Sequence, residues 1–466
     1  MAASLKKRIW GWYFFDWASQ PVHTLLLTFI FGPFFASVAA AYFIGTGLDE
    51  HTADAHAQSL WSAGLTIMGL IIGIGGPIIG AMADTAGRRM PWIVTFSVMY
   101  VLGAAALWFT DPSGSNMWLM LVAFAIAFIG AEYALIFTNS QLPSLGSREE
   151  IGRISGSGFA FGYLGGLIAL AIMLALFVEQ GSGKTLIGAD PAFGLDASQK
   201  EGTRFVGPFT AIWYAVFMVP YFLWVREVRT VASPLSVSAA MRSLKDQIKS
   251  ILKRPSLAAY LGSSMFYRDA LNGLYGFGGV YAKLVLNWEI TSIGVFGVIS
   301  GLAAAIFSWI GGRADKRYGP KPVIRFCIIV LIMVVITIVF MSRESLFGIP
   351  LPAGSTLPDL IFFGCGVVIG GAGGTLQAAS RTLMVRHTRE ETATEAFGIY
   401  GLSGRATAFL APMLIGTVTA LTGSARIGVS PLIALFLLGL VLLAWVNPKG
   451  EEIGRASCRE RVCLYV

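Results

Sequence analysis

Twelve stretches of about 20 apolar residues, separated by short polar loops, constrain this chain more than any other feature, because a bilayer core takes about 20 such residues per helix. They lie near 10–43, 61–83, 91–109, 117–138, 154–178 and 207–225, then near 256–284, 290–312, 323–341, 358–385, 396–421 and 428–446. The first and seventh are longer than a crossing needs, which places interfacial turns at their ends. Only 13% of the residues are charged, half of the roughly 25% of a soluble domain. Backbone inside hydrocarbon must satisfy its own polar groups, so runs of this length become helices. The expectation is an all-α integral membrane protein with 12 transmembrane helices in two six-helix halves.

The basic residues give this bundle an orientation. Lys6, Lys7 and Arg8 precede the first helix, and most other Lys and Arg, including Arg148, Arg254, Arg381 and Arg386, fall in loops on the same side. The opposite loops hold only Lys184, Lys200, Arg204, Lys283, Arg343 and Arg426. By the positive-inside rule both termini are cytoplasmic, and the cell (inner) membrane is the expected location. The net charge of +8 then follows from topology, with no nucleic-acid partner implied. The basic start and apolar run are read as an uncleaved first helix, since the run carries Asp16 and has bulky residues where a cleavage site would lie.

The halves are expected at 1–226 and 256–447, joined by a cytoplasmic linker at 227–255. In that linker Met241, Leu244, Ile248, Ile251 and Leu252 have helical apolar spacing with Arg242, Lys245, Lys249 and Lys253 between them, an amphipathic helix for the membrane surface. A tail, 448–466, follows. Its segment from Ile453 to Val462 resembles the translation of a short-read sequencing adapter and is left out of the functional reading. Motifs repeat between the halves: Gly80-Ala-Met-Ala-Asp84-Thr-Ala-Gly87-Arg88-Arg89 after helix two, and Gly311-Gly-Arg-Ala-Asp315-Lys-Arg317 after helix eight. Parallel repeats of this kind mark secondary transporters.

The stretch from Gly80 to Arg89 resembles the signature loop of the major facilitator superfamily. That resemblance implies a gating loop, in which Gly87 makes the tight turn and Asp84, echoed by Asp315, caps or pairs across the halves. The plainer alternative is a basic loop that only sets topology. The first helix reads Gly11-Trp12-Tyr13-Phe14-Phe15-Asp16-Trp17-Ala18-Ser19, and helix seven contains Tyr267-Arg268-Asp269. Both resemble the branch that holds the fungal vacuolar amino-acid effluxer of autophagy and its bacterial relatives, the "unknown major facilitator family". Ser19-Gln20-Pro21 departs from the Asn-Ser pair of many relatives. The branch implies export of neutral amino acids.

Ionisable residues inside spans are costly, and are functional candidates for that reason. Asp16, Glu132, Arg268, Asp269 and Arg405 fall on helices one, four, seven and eleven, which the fold named by the resemblance places at the cavity or between the halves. Asp16 and Glu132 come at similar depths in two helices of one half, so they could share or relay a proton. Arg268 or Arg405, near the midplane, could hold a substrate carboxylate, with Asp269 and Asn272 at its amino end. His23, Gln141 and Gln377 are candidate cavity wall. In the alternative, Arg268, Asp269 and Arg405 neutralise one another and Asp16 pairs with the basic N-terminus. Glycines at 158, 162 and 166, and at 366, 370 and 374, form smooth stripes over which the halves could rock.

No P-loop lysine follows the glycines, so a gradient and not ATP is the expected energy source. Helix four lacks the arginine typical of drug–proton antiporters. His23, His51, His56 and His387 offer no metal or triad spacing, and the four cysteines no disulfide framework, so neither an enzyme nor a metal or cofactor is expected. What remains is a monomeric carrier in contact with lipid that moves a small solute by alternating access, proton-coupled or facilitative. The other readings are an exporter of another organic anion or metabolite, and a transporter-shaped sensor.

Overall fold

The computed structural model describes residues 4–147, 149–225, 242, 245–246, 249, 251, 253–286, 288, 290–389, 393–404, 407–422 and 424–450. Nearly all of them are helical. We number the membrane helices α1 (Leu5–Gly45), α2 (Glu50–Ala86), α3 (Met90–Phe109), α4 (Met117–Asn139), α5 (Ile151–Leu176) and α6 (Glu201–Trp224). The second six are α7 (Pro255–Leu284), α8 (Ile290–Tyr318), α9 (Pro320–Val339), α10 (Leu357–Arg386), α11 (Ala393–Ser403 and Leu410–Thr422) and α12 (Arg426–Ala444). Ten helices among the described residues are long and apolar enough to cross a membrane. With α7 and the two pieces of α11 they make a bundle of twelve helices in two halves. Most of the expected linker and the tail beyond Gly450 lie outside the described residues.

Local chemistry explains where the helices start, bend and stop. Ser4 caps α1, its hydroxyl accepting from the Lys7 N–H at 3.4 Å. Pro21 cannot donate to the helix ladder, and α1 widens into a π-helical stretch at Val22–Phe29 before resuming at Phe31. The Asp49 carboxylate accepts from Thr52 N at 3.1 Å and starts α2 well before the expected residue 61. Residues 50–60, read from the sequence as loop, therefore extend this helix. Gly87 ends α2 at φ +63, a conformation glycine adopts without a Cβ clash.

Within the first half α1 packs on α5 and α3 on α4; within the second, α7 packs on α12 and α10 on both α8 and α9. The halves meet along two seams, α5 against α8 and α2 against α11. Exposed apolar side chains cover α3 (Val94, Val98, Leu102), α6 (Ile212, Val216, Leu223), α9 (Phe326, Ile329, Met333) and α12 (Leu437, Leu438, Val441). Apolar side chains are exposed on α2 (Ile67, Leu70, Ile74) and α8 (Val298, Leu302, Ile306) as well, so the lipid-facing surface is shared among several helices, and none of the candidate charges falls on α3, α6, α9 or α12.

The glycine stripes do different work from the one expected. Gly158, Gly162 and Gly166 pack against Trp12, Asp16, Gln20 and Thr24 of α1, inside the first half. Gly366, Gly370 and Gly374 pack on Phe296, Ser300 and Ser308 of α8, inside the second. The seams use other glycines. A methyl on Gly156 would lie 2.5 Å from Gly312 Cα, and one on Gly398 2.7 Å from the Gly76 carbonyl carbon. Only bare backbone permits crossings this close.

Candidate functional site

Two arginines of the second half organise the polar interior. The first is Arg381, on α10 one turn before its end. It was counted above among loop charges, but lies within the span and is only 3% exposed. Its guanidinium enters the first half. Nε donates to Ser155 Oγ at 3.0 Å, Nη1 to Asn139 Oδ1 at 3.0 Å, and Nη2 to the Ser155 carbonyl at 2.9 Å. Both terminal nitrogens reach Asp16 Oδ2 at 3.4 Å. The rings of Trp12 and Phe159 sandwich it, with centroids 4.5 Å and 4.3 Å from Cζ.

The opening motif of α1 builds this pocket. Trp12 and Asp16 are four residues apart, hence on one helix face. Trp12 Nε1 donates to the Thr138 carbonyl at 3.0 Å, fixing the ring, and Gly158 leaves room for both side chains. Gly11 lets α6 approach at Val225, while Trp17 stacks on Trp213, whose Nε1 donates back to the Trp17 carbonyl at 3.2 Å. Asp16 thus pairs with Arg381 and not with the basic N-terminus, where Arg8 donates to Ser144 Oγ at 3.2 Å.

Glu132 sits elsewhere. Its Oε1 is 3.8 Å from His23 Nε2 on the π-helical part of α1. Asn139, seven residues further along α4, marks the Asp16 level, so Glu132 lies about 10 Å away along the axis. The two carboxylates are not at one depth, and the structure does not bring them together.

The second arginine is Arg268 on α7, about 20 Å from the start of that helix and near mid-bundle. Nη1 donates to the Tyr400 carbonyl at 3.0 Å and Cζ lies 4.4 Å from the centre of the Tyr400 ring. Among the described residues no carboxylate lies within 4.0 Å of it. Asp269 points away, fully buried, and its Oδ2 accepts from Ala411 N at 3.0 Å. It caps the second piece of α11, where first-turn N–H groups lack helix partners. Arg405 lies outside the described residues.

Asn272 and Tyr275 share the Arg268 face of α7 by helical spacing and are exposed. Tyr275 closes on Gly373, and Gln377 Nε2 donates to Tyr163 OH of the first half at 3.3 Å. Tyr163, Tyr275 and Gln377 thus meet at the centre, one helical turn from Arg381. Gln141 is not cavity wall, since it is buried and accepts from Tyr221 OH at 2.6 Å.

The signature loop is tied within itself and to the end of α4, where Arg89 Nη1 donates to the Ser140 carbonyl at 3.5 Å. Arg89 Nε and Nη2 reach Asp84 Oδ1 at 3.2 Å and 3.1 Å, and Gly80 and Gly87 are buried beneath an exposed Arg88. Across the halves, Asp315 of α8 is buried against Gly152 in the first turn of α5, the positive end of that helix. Next to it, Lys316 pairs with Glu150, while Arg317 is exposed over the Tyr318 ring. The halves are therefore closed over the face that carries the N-terminus.

Sequence reasoning missed Arg381, Asn139, Ser155, Tyr163, Tyr275 and Tyr400. The rule that flags ionisable residues inside spans would have found Arg381, which lies inside the expected span 358–385. The others are uncharged, and nothing in their spacing separates them from ordinary helix residues.

Comparison with known proteins agrees with this architecture. Residues 4–452 match the family described as "Vacuole effluxer Atg22 like". The chain is 24% identical over 438 residues to the uncharacterized MFS-type transporter YxiO of Bacillus subtilis, covering 94% of each. It is 22% identical over 317 residues to autophagy-related protein 22 of Cryptococcus neoformans, where the match covers 66% of this chain and 52% of the fungal protein. Among solved structures it superposes on the human organic anion transporter MFSD10 (TETRAN) with TM-score 0.68 and 17% identity, covering 94% of this chain and 99% of that one. The transporter FucP in its outward conformation gives TM-score 0.64 and 15% identity, with 94% and 98% covered.

Proposed function

The chain belongs to the Atg22-like vacuole effluxer family, within the major facilitator superfamily, and on that premise we propose that this transporter carries a neutral amino acid by alternating access. Arg268 carries the substrate assignment: a mid-bundle guanidinium with no carboxylate within 4.0 Å among the described residues, beside an exposed Asn272. Arginine presents a planar fork that fits a carboxylate with two parallel bonds. The substrate carboxylate docks there, with Asn272, Gln377, Tyr163 and Tyr275 as uncharged lining. The amino end falls to Glu132 and His23 of the first half, because Asp269 is committed to α11. The skew of Lys and Arg to one set of loops supports cytoplasmic termini and a place in the cell membrane, and the effluxer description of the family supports export as the direction. The closed face is then the cytoplasmic one, and Asp84, Arg89, Asp315 and Arg317 form its gating layer.

The experiment is counterflow in proteoliposomes preloaded with a pool of neutral amino acids, following entry of labelled leucine. Accumulation that Arg268→Ala abolishes supports the reading. Absence of exchange from folded protein removes the amino-acid assignment. A second reading, an organic anion without an amino group, is favoured by the withdrawal of Asp269 from the Arg268 face. Exchange of a simple monocarboxylate in place of leucine would establish it.

A further inference from the structure

Arg381 is a side chain of one half housed by the other. Its polar contacts go to Asp16, Asn139 and Ser155, and its stacking partners are Trp12 and Phe159. These five residues lie on α1, α4 and α5, and α10 is the helix that brings the arginine. Opening the cytoplasmic face requires α10 to move away from them. The guanidinium must then leave a pocket in which every N–H has an acceptor.

A guanidinium is not deprotonated in proteins and so keeps its charge when buried. It tolerates low dielectric only when a counter-charge and hydrogen bonds replace water. Asn139 and Ser155 supply bonds, and Asp16 supplies the counter-charge. From this geometry we propose that Arg381 is the latch of the cytoplasm-closed state and that protonation of Asp16 releases it.

Once Asp16 takes a proton from cavity water, Arg381 is an uncompensated buried cation. Returning it to water means withdrawing it from the first half, which is the opening movement itself. Among the described residues, the other titratable groups facing this pair are Tyr13 on α1 and Tyr400 on α11, with Arg153 of α5 facing Tyr13, and the buried carboxyl of Asp315 on α8 stands further along the same seam, against Gly152. Neither phenols nor guanidinium groups ordinarily change charge between pH 5 and 8. Glu132 lies about two turns away, with His23. The latch rests on the alternating-access reading but not on the substrate, so it can be tested without one.

The test is spin-label distance measurement across the closed face in lipid, with labels at Lys6→Cys and Tyr318→Cys and the four native cysteines replaced. At pH 8 the short separation should dominate, and at pH 5.5 the ratio of long to short should rise roughly tenfold. Asp16→Asn should show the long separation at both pH values and no response to acid. Ser155→Ala, which removes one acceptor and no charge, should open the face partly and keep the response. An Asp16→Asn distribution like that of the parent at pH 8, or one that still responds to acid as the parent does, overturns the proposal. So does a Ser155→Ala variant that loses the acid response. A chain that fails leucine counterflow yet opens with acid loses its substrate assignment and keeps its latch.

Discussion

Arg381 and Arg268 are both arginines in the interior of second-half helices, and their surroundings are opposite. Arg381 has every donor engaged and a carboxylate of the other half beside it. Among the described residues Arg268 has one backbone carbonyl and one ring, both from its own half. A cation fully satisfied by the opposing half stabilises one arrangement of the halves. A cation left with spare donors near mid-bundle is an offer to a ligand. The contrast separates the machinery of movement from that of recognition, although the residue type is the same.

The sharpest way to break this contrast is to remove each arginine in turn. Arg268→Ala should lower transport by roughly 10- to 150-fold, through loss of a charge-assisted pair worth about 1.5–3 kcal/mol, while leaving the label distances across the closed face unchanged. Arg381→Ala should do the reverse at the level of structure, moving the distances while the affinity for substrate persists. Equal effects of both on the distances would erase the distinction.

The second test acts on the seam beside Arg381. A methyl on Gly152 would lie 2.5 Å from the Asp315 carboxyl carbon, and one on Gly156 would meet the Gly312 backbone. Overpacking of this kind costs about 1–3 kcal/mol, charged only to the state in which α5 and α8 touch. Gly156→Ala should shift label distances toward the open form by roughly 5–150-fold, whereas Gly103→Ala, between α3 and α4 inside the first half, should lower thermal stability without favouring either state. If the two variants behave alike, the seam assignment is wrong.

Asp269 tests the neighbour of Arg268. As a helix cap it should contribute about 1 kcal/mol, so Asp269→Ala should lower the melting temperature by a few degrees while counterflow continues. Loss of transport at unchanged stability would instead return Asp269 to the substrate.

What the sequence made legible follows from how locally each feature is encoded. Hydropathy and charge placement are summed over 20 residues, so the twelve crossings survive errors at any one position. The helix ends were less legible: Asp49 starts α2 three turns early through a single capping bond, and Pro21 widens α1 without ending it. At the site, Asp16, Glu132 and Arg268 announce themselves as charges in apolar runs, but their partners do not. Asn139 and Ser155 are ordinary residues until α10 delivers Arg381 to them, and that delivery is a tertiary fact spanning 242 and 226 residues of chain. The glycine stripes show the same limit, since periodicity identifies a smooth face but not which helix covers it.

The smallest expected effect belongs to Glu150, at the solvent edge of the same seam. Its carboxylate pairs with Lys316 across the halves and with Arg153 at 2.8 Å, and the Lys316 bond, helped by Arg153, holds its pKa below the usual glutamate value. A depressed folded pKa means that its contribution is fully present above about 4.3 and fades as pH falls through the lower folded value. Between pH 5 and 8 Glu150 therefore keeps its charge, and the acid response assigned to Asp16 cannot come from it. The pair is partly exposed, so it contributes about 0–1 kcal/mol and is weakened by salt. Glu150→Gln should change the open-to-closed ratio by at most roughly fivefold and leave its dependence on pH intact. If Glu150→Gln abolished the acid response instead, the switch would lie at the rim of the seam, and Arg381 would be reduced to a packed cation beneath it.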